Sequence, residues 1–141
     1  MTKKFWRCGL GLLVLFALIQ LIPVDRSNPP VTAELSASNQ LMTIFRRSCY
    51  DCHSNETVWP WYSRIAPLSW LVAYDTWEGR EHLNFSTWGE LSPRKRLKLK
   101  KELWEEVADG GMPPWLYLLN HLEADLTSAE RLVIHDWTAT P

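Results

Sequence analysis

The longest apolar run in the chain lies near its N-terminus. Cys8 to Val24 reads CGLGLLVLFALIQLIPV, with Lys3, Lys4 and Arg7 before it and Asp25 and Arg26 after it. As a helix these 17 residues span about 26 Å, just under the roughly 30 Å of a hydrocarbon core, and Phe5 and Trp6 extend the span at the interface. The basic N-terminal flank points to a single-pass segment with everything after Asp25 on the extracytoplasmic side. A cleaved signal peptide would end in a small-x-small site. Gln20-Leu21-Ile22-Pro23-Val24-Asp25 offers none, so residues 1–25 are read as an uncleaved anchor in preference to a signal peptide. Phe5-Trp6-Arg7 is a poor context for lipidation of Cys8.

Beyond the anchor the pattern changes. Residues 26–37, RSNPPVTAELSA, read as a linker stiffened by Pro29-Pro30. From Ser38 the apolar positions follow helical spacing: Leu41, Ile44, Phe45, Ser48, Cys49 and Cys52 share one face. Trp59-Pro60-Trp61-Tyr62 reads as a rigid aromatic loop, and Pro67 opens a helix running to about Gly79. Ser92-Pro93 is a capped helix start, and Gly110-Gly111 ends that helix. Thr127-Ser128-Ala129-Glu130 is a capping box for a last helix with Ala129, Leu132, Val133 and Trp137 on its buried stripe. No stretch alternates with period two, so the class is all-α, with residues 38–141 forming one small domain. Its first and last helices are expected to pack together, with loops wrapping a cofactor.

Composition narrows the chemistry. The chain has 141 residues with 15 Lys+Arg against 16 Asp+Glu, and a net charge of -1 argues against nucleic-acid binding. Cysteines occur only at 8, 49 and 52, too few for a disulfide framework. Eight of the nine Trp follow Cys52, and such flat side chains suit the wall of a planar cofactor as well as a small core.

Cys49-Tyr50-Asp51-Cys52-His53 carries the chemistry. Two thiols two residues apart can add to the two vinyl groups of a porphyrin, and the next residue supplies an imidazole to the iron; C-x-x-C-H is a c-type haem attachment site for that reason. A redox dithiol would sit at a helix start in a βαβ setting, which is absent here. A zinc site would need two further ligands at close spacing. His53 is then the proximal ligand. Met112, in Gly110-Gly111-Met112-Pro113-Pro114, is the preferred sixth ligand, because the prolines stiffen the loop that presents its thioether. His82 is the alternative, while His121 and His135 read as surface or capping residues. Arg80 and Asn84 are candidate contacts for a haem propionate. The carbonyl of Pro67 is the candidate acceptor for the other ring nitrogen of His53.

These residues resemble a bacterial family described as a haem-binding domain. The likeness is carried by CYDCHSNETVWPWYSRIAPLSWLVAYD, EGREHLNFSTW and GGMPPWLYLLNH, and runs from about Ser48 to Trp137. It implies a cytochrome-c-like haem protein, often behind one N-terminal membrane segment, without defining a reaction. The expected role is one-electron transfer by one covalent haem c in the periplasm, on the inner membrane, rather than catalysis. The alternatives are a sensor or peroxidase-like protein with an open sixth site, or a haem-bearing subunit of a membrane redox complex. Arg94, Lys95 and Arg96 crowd a helix start, where the macrodipole disfavours them, and mark a docking patch for an acidic redox partner.

Overall fold

A computed structural model describes residues 2–140, which contain helices and no strand. The helices are α1 (Thr2–Ile19), α2 (Asn39–Ser48), α3 (Tyr50–His53), α4 (Leu68–His82), α5 (Pro93–Ala108), α6 (Trp115–Leu118) and α7 (Ser128–Ala139). Short 3-10 turns cover Trp61–Arg64, Phe85–Glu90 and Leu122–Ala124. The all-α expectation holds.

The caps explain where the helices start and stop. Ser38 accepts the amide of Leu41, and Ser92 accepts that of Lys95 ahead of Pro93 at the first position of α5. Thr127 and Glu130 form a reciprocal capping box on α7. At the end of α5, Gly110 takes φ +76°, and the amides of Gly110 and Gly111 donate to Val107 and Glu106. This is a Schellman closure, which needs a residue without a Cβ penalty at positive φ. The predicted first helix is broken in two, because Cys49 leaves helical geometry at φ -131°, ψ -31° and starts α3 afresh.

The core centres on Phe45 of α2. Its ring stacks on Phe85 at 4.8 Å and meets Trp137 of α7 edge-on at 5.4 Å. Tyr50, Leu41, Ile44 and Ile134 close around it. The expected contact between α2 and α7 is present, reinforced by Arg47 and Glu130 at 2.7 Å, but α7 packs most extensively along α5.

Two N-terminal segments are built in ways their sequence pattern does not show. The segment read as a linker is built into the domain: Leu35 is buried, its amide donates to Phe85, and Ala33 and Ser86 exchange backbone bonds with their neighbours across the same seam. Among the described residues no helix is long and apolar enough to cross a membrane. Helix α1 stops at Ile19, so its longest uncharged run is residues 8–19, about 18 Å of rise. Gln20 ends it by turning its amide onto Ala66, accepting from that residue's N–H at 2.9 Å and donating to its carbonyl at 3.2 Å.

Candidate functional site

Cys49 to His53 forms one tight turn, in which the amides of Cys52 and His53 both donate to the Cys49 carbonyl. The two thiols are free and half-buried. Burial is the main cause that pushes each up to about 12, with Cys52 adding to Cys49, and Asp51 and Asp75 adding to Cys52. Such protonated thiols are unlike the depressed, nucleophilic pair of a disulfide oxidoreductase. Among the described residues no group of three His, Cys, Asp or Glu side chains gathers as a metal site.

His53 is held from behind. Its Nδ1 lies 2.9 Å from the Gly79 carbonyl and 3.1 Å from the Leu83 carbonyl. Carbonyls only accept, so Nδ1 carries the proton and Nε2 keeps its lone pair, which is the tautomer a metal ligand needs. Burial lowers the pKa of His53, against the opposing pull of the two carbonyls. The Pro67 carbonyl does not play this part; it accepts from Trp70 and Leu71 within the first turn of α4. Gly79 does not end its helix either. It lies inside α4 because a side chain there would collide with Cys52: a Cβ would stand 2.6 Å from the Cys52 oxygen. That close approach is what brings the Gly79 carbonyl within reach of the imidazole.

Asp51, between the cysteines, ties three loops together. Its carboxylate accepts the Val58 amide at 3.0 Å and the Tyr117 hydroxyl at 2.8 Å, and its carbonyl accepts the Thr57 hydroxyl at 2.7 Å. Tyr117 stacks on His121 at 4.2 Å between ring centroids, and His121 Nε2 is 3.0 Å from the Tyr62 hydroxyl. His121 is thus half-buried, at the N-cap position of the Leu122–Ala124 turn. His135 packs edge-on against Trp104 at 4.7 Å, with Asp136 beside it.

Met112 follows the Schellman closure of α5, donates its amide to Glu106 at 3.1 Å, and packs half-buried against the core. His82 is exposed at the end of α4, the same end that holds the back of His53. Arg80 is committed within the protein, donating to Ser54, Ser27, Asn28 and Thr57. Asn84 caps the turn at Phe85 and bonds Asn55. By contrast, Trp59 Nε1 is buried without an acceptor. Two free thiols and an imidazole whose Nε2 is left unbonded are a donor set that fits a haem.

Sequence reasoning did not single out Gly79, Asp51, Tyr117 or Tyr62 as parts of the site. A glycine inside a helical pattern was the one available signal among them.

The sequence pattern of a family described as a haem-binding domain matches residues 14–140. No curated protein and no solved structure matches the chain significantly.

Proposed function

Because the chain belongs to the haem-binding domain family, we propose that it is a c-type haem protein passing single electrons. In this reading Cys49 and Cys52 form the thioether links, His53 is the proximal ligand and Met112 the sixth. The bound haem would supply one-electron chemistry at its iron. The carrying observation is the orientation of His53, whose Nδ1 is engaged by two carbonyls beside two free thiols. The chain's own work would be to fix that imidazole and to present the Met112 thioether from a stiff loop.

Met112 is favoured over His82 as sixth ligand. His82 is exposed at the helix end whose carbonyls hold His53 Nδ1, whereas Met112 sits in a proline-stiffened loop and would be the better placed to hold the iron. Arg80 and Asn84 are engaged with neighbouring backbone and side chains, which disfavours them as propionate contacts.

In α1 Phe5, Trp6, Leu10, Leu12 and Leu13 are all exposed, and so bare an apolar helix needs a cover. A lipid bilayer is the proposed cover, with the haem domain on the extracytoplasmic side. Arg94 and Lys95 are exposed beside Lys98, while Arg96 is half-buried and donates to the Gly89 carbonyl at 2.7 Å. The docking face for an acidic partner is therefore proposed as Arg94, Lys95 and Lys98.

The test is to express the full chain in a host that exports it and attaches haem. Haem that survives denaturing electrophoresis, and is lost in a Cys49→Ala/Cys52→Ala variant, supports covalent attachment. Met112→Ala should abolish the methionine–iron charge-transfer band of the oxidised protein and speed cyanide uptake. An unchanged spectrum in Met112→Ala, with a changed one in His82→Ala, reverses the ligand assignment. Rapid carbon monoxide uptake by the unaltered reduced protein favours a sensor or peroxidase-like role instead.

A further inference from the structure

We propose that Tyr117 is the residue that positions Met112, acting through a hydrogen bond to Asp51 inside the attachment motif. The proposal rests on the reading of Met112 as the sixth ligand and adds to it the means by which its loop is held.

The geometry is a stitch between the two sides of the site. Asp51 is rigid, since both of its carboxylate oxygens and its carbonyl are engaged. Tyr117 is rigid as well. Its hydroxyl reaches Asp51 Oδ2 at 2.8 Å, and its ring lies on His121 with the planes 9° apart. Tyr62 holds His121 from the far side at 3.0 Å. The phenol is pushed well above its ordinary range, first by burial and then by the Asp51 charge, so it remains a donor at any working pH.

Between Tyr117 and Met112 the chain has little freedom. Pro113 and Pro114 fix two φ angles, and the Tyr117 amide donates to the Pro114 carbonyl at 3.0 Å. Behind Met112, the closure of α5 holds its amide on Glu106. The Met112 loop therefore has one anchor on α5 and one on the attachment turn. Removing the second frees one end of the loop without touching a ligand, a cysteine or the core around Phe45.

The experiment uses the full chain with haem attached, matched for haem content, as wild type, Tyr117→Phe, Asp51→Asn and the double variant. Tyr117→Phe keeps the stacked ring and removes one O–H. It should keep its helical circular dichroism, lose more than half of the methionine–iron charge-transfer band, and bind cyanide about tenfold faster, the factor expected for one hydrogen bond to a charged acceptor. Asp51→Asn should shift both readouts the same way. The double variant should be no worse than the stronger single variant, because both act on the same contact. A lower melting temperature with band and cyanide rate unchanged would mean a purely structural role and overturn the proposal alone. A wild type that lacks the band overturns the Met112 assignment and the proposal together.

Discussion

The α-carbon of Gly79 and the carbonyl of Cys52 are so close that a Cβ on residue 79 would stand 2.6 Å from the oxygen and 3.2 Å from the Cys52 Cβ. The obstructing atoms are backbone, so the strain cannot be relieved by a rotamer change. Gly79→Ala must push α4 away from α3, and with it the carbonyl that orients His53. The expected cost is about 1–3 kcal/mol, despite the better helix propensity of alanine. Thermal melts and haem yield check this. A variant as stable as wild type, with full haem attachment, would show that the contact does not set the site.

Phe45 makes the corresponding case for the core. It is fully buried between Phe85 and Trp137. Phe45→Ala should cost about 3–5 kcal/mol, a large part of a small domain's stability. Leu97→Ala, at a half-exposed position on α5, should cost far less. Denaturant unfolding of the two variants gives the comparison.

What the sequence made legible was mostly local. Ser38, Ser92 and Thr127 cap the helices they were expected to cap, and Gly110 closes α5, because capping depends on residues three or four apart. The Cys49-x-x-Cys52-His53 motif was legible for the same reason. The Gly79 carbonyl behind His53 was not, since a backbone acceptor 26 residues away leaves no residue-type signal. Nor was the Asp51–Tyr117 bond, which joins positions 66 residues apart. At the N-terminus hydropathy continues to Val24, but the helix ends at Ile19, next to the Gln20–Ala66 bond, which joins positions 46 residues apart.

Arg80 clamps the N-terminal segment to the domain. Its guanidinium reaches Ser27 and Asn28 on one side and Ser54 and Thr57 on the other. Lysine keeps the charge but not the fork. Arg80→Lys should loosen the segment and speed tryptic cleavage after Arg26 by about tenfold, in keeping with the loss of hydrogen bonds from a charged donor. Equal cleavage rates would show that the clamp is not limiting.

Glu130 gives the pH dependence a sign. Its carboxyl is held below its ordinary value of 4.5, chiefly by the Thr127 amide, with Arg47 contributing and burial opposing. A lowered folded value means that the unfolded chain binds the proton more readily, so acid favours unfolding. The contribution is complete above 4.5 and is lost as pH falls through the lower folded value. Glu130→Gln should therefore be less stable than wild type by about 1 kcal/mol at neutral pH, and the difference should shrink towards zero in acid. Melts across that range check the convergence; a difference that persists at low pH would assign the effect to packing instead.

The basic start of α5 makes a kinetic prediction. Lys98 and Lys101 are paired with Glu102 and Glu105 one turn on, at 3.2 and 3.5 Å, which offsets part of the unfavourable macrodipole. Lys100 is buried, bonds the Thr140 carbonyl and lies over the Trp137 ring, so it belongs to the core. Arg94 and Lys95 have no ion pair among the described residues and carry the exposed field. Attraction between surface charges decays over about 10 Å at 0.1 M salt, so its signature is an ionic-strength dependence of rate. Oxidation of the reduced protein by ferricyanide, a small anion, should slow as salt rises. Arg94→Glu/Lys95→Glu should slow it about tenfold at low salt, and the two curves should converge at high salt. Parallel curves would place electron exchange at a different surface.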